Sequence, residues 1–156
     1  MTSKHPNTFS SFELGKIKLK NRIIMAPLTR QSSHDDGTPT DEMAAYYSRR
    51  ARGGVSMIIT EGTYTEDKFG CVAYLNQPGC ANSQHVSAWK NIVDAVHDNG
   101  SKIMLQLMHG GRVSDPRCLY ENESPISASS TKSNGSVLYS DTDEEMYNRG
   151  LTPPWP

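Results

Sequence analysis

Three short groups of residues carry the functional groups best suited to holding a ligand. They are Ala26-Pro27-Leu28-Thr29-Arg30, Glu61-Gly62-Thr63, and Gln106 with His109-Gly110-Gly111-Arg112. Thr29 brings a hydroxyl that donates or accepts, and Gln106 brings an amide donor beside a carbonyl acceptor. Pro27 fixes a turn, and Gly62 leaves room for a flat molecule to approach the backbone. Such a set suits a planar heterocycle with alternating N–H and C=O groups. Each residue also has a plainer structural role: Thr29 as a loop cap, Gly62 as a turn residue, Gln106 as a satisfied inward polar group. His109 and Arg112 are expected to brace loops, and Tyr46 and Tyr47 to pack a helix. No residue is assigned a catalytic role.

These groups must be positioned by strands, because each follows or ends an apolar run. Phe9–Leu19 alternates around Gly15 and predicts a short hairpin. Arg22–Ala26 reads as a buried strand ended by Pro27. Thr40 is a good N-cap, with Asp41 and Glu42 in the first helical turn and Gly53-Gly54 at the end. Met43, Tyr46, Tyr47 and Ala51 form that helix's expected inward face. Val55–Thr60 predicts a second strand, followed by an irregular stretch from Tyr64 to Ala81. Ser83–Asp98 predicts a second helix with Val86, Trp89, Val93 and Val96 on one stripe and Gly100 as its stop. Lys102–Met108 predicts a third strand. Pro125–Ser140 has the pattern of an excursion hairpin.

Strands alternating with helices imply a parallel sheet, and in such sheets ligands bind at the C-terminal strand ends. The three groups above lie at those ends. Periodicity leaves open whether the sheet is doubly wound or part of a barrel. No GxGxxG or GxxxxGK follows any strand, which argues against an open-sheet nucleotide-binding domain.

Composition excludes other classes. Sixteen basic and 17 acidic residues give a net charge of −1, without a basic footprint for nucleic acid. No apolar run is long enough for a bilayer span, and the polar N-terminus lacks a secretory h-region. Cys71, Cys80 and Cys118 are odd in number and lack CxxC spacing, so neither a disulfide framework nor a metal site is expected from this chain alone. They read as reduced thiols of a cytoplasmic protein. From Val113 onward the chain is polar and Pro-containing, so residues 113–156 are expected to be an irregular tail or excursion.

Lys20-Asn21-Arg22-Ile23-Ile24-Met25-Ala26-Pro27-Leu28-Thr29-Arg30 closely resembles the first barrel strand of the Old Yellow Enzyme family of NADH:flavin oxidoreductases. Tyr46-Tyr47, Arg50-Ala51 and Gly53, then Ile58–Thr63, look like its second unit. Trp89-Lys90 and Ile92–His97, then Gln106–Arg112, look like its third. The resemblance runs in order over roughly residues 8–128. It implies an α/β fold, a partial TIM (β/α)8 barrel made of an N-terminal hairpin and about three βα units. All of residues 1–156 would belong to the N-terminal portion of a single FMN-binding domain. It also implies that Ala26, Pro27, Leu28 and Thr29 line FMN, with Thr29 bonding the carbonyl beside the reactive N5. Gly62 would pack near the pyrimidine side and Gln106 would bond its polar edge. In the family NAD(P)H reduces the FMN, which passes hydride to the activated C=C of an enone-type small molecule.

The sequence also departs from the family. Its substrate anchor is a His followed three residues later by Asn or His, and none of His5, His34, His85, His97 or His109 has that spacing. The proton-donating Tyr and the phosphate-holding strands are likewise unmatched. A complete barrel takes about 250 residues. Three strands are expected to leave an unpaired edge and both sheet faces short of cover, favouring self-association or pairing with the rest of a barrel. The chain is therefore expected to be truncated, with weak or no FMN binding and no ene-reductase turnover by itself. The alternative is a non-catalytic remnant or interaction module derived from that barrel. Substrate contacts on this chain are expected only from Gln31 and residues beyond Gly111.

Overall fold

The computed structural model describes residues 4–66, 72–119 and 124–131. A single helical turn, α1 (Pro6–Phe9), comes first, with Pro6 at its start where the missing N–H costs nothing. No helix is expected there from the sequence pattern. Strands β1 (Phe12–Leu14) and β2 (Ile17–Leu19) then form the expected antiparallel hairpin around Gly15.

Three parallel strands follow, β3 (Ile24–Met25), β4 (Met57–Thr63) and β5 (Lys102–Leu107), in the spatial order β3-β4-β5. Helix α2 (Asp41–Arg52) connects the first pair and α3 (Ser83–Asp98) the second. The helix boundaries follow from their caps. Thr40 Oγ1 accepts from the Met43 N–H at 3.3 Å, and Asn82 Oδ1 accepts from the His85 N–H at 2.9 Å. Gly100, at φ +70°, supplies the left-handed turn that sends the chain from α3 into β5.

All three parallel strands differ from their expected bounds, and β5 stops at Leu107, one residue before Met108. β3 is only two residues long, because Pro27 ends it. β4 begins later and runs through Glu61 and Gly62 to Thr63 instead of stopping at Thr60. Ile59 pairs with Met104 and Gly62 with Gln106, so β4 holds one extra residue between these pairs, a β-bulge. There the Thr60 hydroxyl accepts from the Gln106 N–H at 3.1 Å.

Both helices cover the same face of the sheet. Met43, Tyr47 and Ala51 of α2, Trp89, Ile92 and Val96 of α3, and Ile58 of β4 form one buried core, joined by Met25, Ile103 and Leu105. The expectation that both faces lack cover is thus corrected: both helices cover one face, which is only half-buried at Ile103 and Leu105. The other carries Ile24 and Met104, 41% and 45% exposed. The stripe expected on α3 is also corrected. His85, Trp89, Ile92 and Val96 are buried, whereas Val86 is 54% exposed. Val86 and Val93 instead line an apolar cleft with Ile103 and Leu105 beside the β5 edge. On α2, Tyr46 is only half-buried.

Below the strands, Asn21 Nδ2 donates to Gly54 O at 2.8 Å and Ser56 Oγ to Asn21 O at 2.8 Å. These bonds tie the end of the hairpin to the start of β4. Residues 132–140 of the expected excursion hairpin lie outside the described residues, and 125–131 contain no strand.

Candidate functional site

The C-terminal ends of the three strands meet at one end of the open sheet face. Ala26, Leu28 and Thr29 are exposed just beyond β3, and Pro27 is half-buried between them. Gln106 is exposed on β5. Its neighbours Ile103 and Leu105 pack toward the helices, so strand alternation puts Met104 and Gln106 on the open face. Gly62 is buried and paired with Gln106 across the ladder.

Gly62 must lack a side chain for a reason internal to the chain. A Cβ there would meet Met108 Sδ at 2.4 Å and Met108 Cβ at 3.1 Å. The space expected for a flat ligand on that side therefore already holds Met108. The Gly62 carbonyl is also occupied, because Gln77 Nε2 donates to it at 3.0 Å and Tyr74 OH at 3.3 Å.

Tyr74 and Gln77 come from the loop after β4 and carried no expected role. Gln77 is held in place by accepting the Ala73 N–H at 2.8 Å. Tyr74 OH lies 3.5 Å from Thr29 Oγ1. Its single proton can go to Gly62 O or to Thr29. When it goes to Thr29, Gln77 still serves Gly62 O and the Thr29 proton is free to point at a ligand. Burial pushes the Tyr74 hydroxyl up to about 12, with the Thr29 bond opposing and the Glu61 charge adding, so it stays a donor near neutral pH.

Glu61, 1% exposed, lies at the bulge. Its Oε2 accepts from the Arg30 N–H at 2.9 Å and the Gln31 N–H at 3.3 Å. Tyr47 OH accepts from the Glu61 N–H at 3.1 Å and donates to Oε1 at 3.4 Å. Desolvation raises the Glu61 carboxyl above its ordinary value, against the bonds from Arg30, Gln31 and Tyr47. Burial, and next the Glu61 charge, also push the Tyr47 hydroxyl well up. Tyr46 is stacked by Arg50 Cζ at 3.3 Å and Arg30 Cζ at 5.1 Å from its ring centre.

His109 braces its own loop, since its Nδ1 accepts from the Gly111 N–H at 2.9 Å. Arg112 donates to Thr131. Among the described residues no group of three or more His, Cys, Asp or Glu side chains could hold a metal ion. No helix there is long and apolar enough to cross a membrane.

The arrangement thus presents a hydroxyl (Thr29) and a carboxamide (Gln106) on an open surface, across a strand whose own polar groups are already satisfied. That donor–acceptor pair fits the pyrimidine edge of a flavin, which carries both N–H and C=O groups.

Comparison with known proteins points to one family. Residues 7–153 match the model of the NADH:flavin oxidoreductase / NADH oxidase family. A chanoclavine-I aldehyde reductase of Penicillium roqueforti is 40% identical over 111 residues, covering 71% of this chain and 30% of that protein. Morphinone reductase, solved in complex with tetrahydroNAD, superposes with a TM-score of 0.75 at 35% identity, over 84% of this chain and 35% of that one. The Old Yellow Enzyme of Pichia sp. AKU4542 superposes with a TM-score of 0.75 at 36% identity, over 92% of this chain and 39% of that one. The chain spans about a third of the length of these relatives. Its three strands and two helices are part of a TIM barrel, left unclosed among the described residues.

Proposed function

This chain belongs to the NADH:flavin oxidoreductase / NADH oxidase family, and we propose that it supplies one wall of an FMN site in an NAD(P)H-dependent ene-reductase. Thr29 and Gln106 hold the pyrimidine edge and Ala26, Pro27 and Leu28 line the ring, while Gly62, filled on its free side by Met108, serves as the strand residue paired with Gln106. The observation that carries this reading is that Thr29 and Gln106 are both exposed at the C-terminal ends of strands flanking Gly62, on the one uncovered face. The chemistry FMN supplies when bound is hydride transfer from NAD(P)H to the activated C=C of an enone-type small molecule.

The chain's own residues bind and orient. Thr29 donates a hydrogen bond and Gln106 both donates and accepts. The Tyr74–Gln77 pair keeps the Gly62 carbonyl occupied, so the donors of a ligand are not drawn to it. Residues 1–156 act as part of one barrel domain, in a cytoplasmic setting suited to free Cys80 and Cys118. By itself the chain holds FMN weakly and has no turnover, because among the described residues one sheet face and both edges are open.

Titration of the chain with FMN, followed by flavin fluorescence, and an assay of NADPH-dependent enone reduction test this. Weak binding, weakened further by Thr29→Ala and Gln106→Ala, is the expected result. Stoichiometric flavin with turnover overturns the inactivity, and binding indifferent to both substitutions overturns the site.

A second reading, a non-catalytic module that pairs with a complementary barrel portion or with itself, is favoured by the exposed Met104 and the apolar cleft beside β5. A concentration-dependent rise in mass by light scattering is its expected signature, and a monomer at all concentrations argues against self-pairing.

A further inference from the structure

We propose that Glu61 is a positioning residue: its carboxylate grips the turn after β3 and thereby aims Thr29 and Gln31 toward the ligand side of the sheet. Its value for ligand binding rests on the flavin reading of Thr29, whereas the grip itself stands on geometry alone.

Gln31 has φ +54°, in the left-handed region that a side-chain-bearing residue adopts at a cost. Something must hold it there. Two successive N–H groups, of Arg30 and Gln31, converge on the one Oε2 of Glu61, at 2.9 and 3.3 Å. Consecutive amides around such a turn form a small concavity suited to an anion. Here the anion is built into the neighbouring strand, 30 residues away in sequence. Bonds to a charged acceptor are stronger than neutral ones, and in this buried place they are shielded from competing water.

The carboxylate is in turn oriented. Tyr47, buried on α2, takes the Glu61 N–H and gives its own proton to Oε1. The β-bulge makes this possible, because the extra residue in β4 re-aims the side chains at the strand end. A chain of contacts thus runs from α2 through Glu61 to the turn, and from the turn to Thr29 on one side and the Gln31 side chain on the other. The titratable and charged groups facing Glu61 are Arg30 from the turn, Tyr47 from α2 and Tyr74 from the loop after β4. Glu42 and Arg49 of α2 line the same cleft.

The test uses the full 156-residue chain labelled with 15N. In the parent, the Arg30 and Gln31 amide resonances should titrate together with a midpoint above the ordinary carboxylate range, and in Glu61→Gln this shared titration should vanish. In Glu61→Leu, hydrogen exchange at both amides should quicken about tenfold or more, while the ladder amides Lys102 and Met108 change less than about twofold. Glu61→Gln, which keeps one acceptor oxygen, should restore most of the protection. The proposal is overturned if the two amides exchange as fast in the parent as in Glu61→Leu, or if Glu61→Gln restores nothing. If Glu61→Leu does not fold, the parent and Glu61→Gln titrations decide, and absence of the shared titration in the parent sinks it. Adding FMN to the labelled parent separates the two readings. Shifts confined to residues 26–31, 62 and 106 support the flavin site, and their absence removes that site while leaving the amide result in force.

Discussion

The two faces of the three-stranded sheet solve opposite problems. The helix side buries Ile58, Ile92, Val96, Tyr47 and Trp89 in one continuous core. The opposite side leaves Met104 and Ile24 nearly half exposed, together with Gln106. Among the described residues no buried side-chain polar atom lacks a partner. Thr29 and Gln106, both exposed, stand at the strand ends of the open side. The covered face carries stability and the open face carries recognition, and the same strands serve both because successive side chains point to opposite sides.

The largest test of that division is Trp89→Ala. It removes a 5%-exposed ring and the bond from Trp89 Nε1 to Gly79 O at 2.9 Å. The expected cost is about 3–5 kcal/mol, read as a lowered denaturation midpoint, and a cost near zero would break the comparison. Glu61 lies between the two regions and comes next. Glu61→Leu leaves two part-buried N–H groups without their acceptor and should cost about 1–3 kcal/mol. Its titration has a definite sign. The folded-state carboxyl is raised above 4.5, so the folded chain binds that proton more tightly than the unfolded chain. The stability this group contributes is full below pH 4.5 and is lost as pH rises through the raised value. Glu61→Gln should flatten that decline in urea melts recorded across pH, and an unchanged slope would refute the assignment.

On the open side the effects should move from stability to binding. Thr29→Ala should change stability by less than about 0.5 kcal/mol yet weaken FMN affinity about 2- to 10-fold, the worth of one hydrogen bond. Tyr74→Phe should weaken it less, and should do nothing further in a Thr29→Ala background if it acts through Thr29. Met104→Thr should be the smallest change, within about 0.5 kcal/mol, and should lower self-association seen by light scattering. A loss comparable to that of Trp89→Ala would mean the open face is packed after all.

Several features were readable because they are local. The start of α2 follows from Thr40 and the stop of α3 from Gly100, each acting within a turn of its own position, whereas the Asn82 cap of α3 emerged only in the structure. The hairpin follows from alternation around Gly15. The strand-end placement of Thr29, Gly62 and Gln106 follows from strand order and from motif resemblance. The misplaced features depend on docking instead. Val86 and Ile92 are both apolar on α3, and only the direction in which the helix packs decides that Ile92 is buried. Tyr74 and Gln77 sit in a stretch without periodicity, and their role arises from the Gly62 carbonyl more than ten residues away. Glu61 shows no sign in sequence of its bonds to Arg30 and Gln31, because nothing local marks a bulge or a partner 30 residues distant.

By itself, then, the sequence determined the alternation of strands and helices, their capped ends, and which residue types stand at the strand termini, since propensity, capping and hydrophobic period act over a few residues. Periodicity left the sheet type open, and the family resemblance pointed to a barrel. Tertiary structure decided which sheet face is covered: both helices lie on one face of strands that follow one another in order, a choice made by packing apolar faces between segments far apart in the chain. The same long-range packing put Met108 against Gly62 and the Glu61 carboxylate under the Arg30–Gln31 turn.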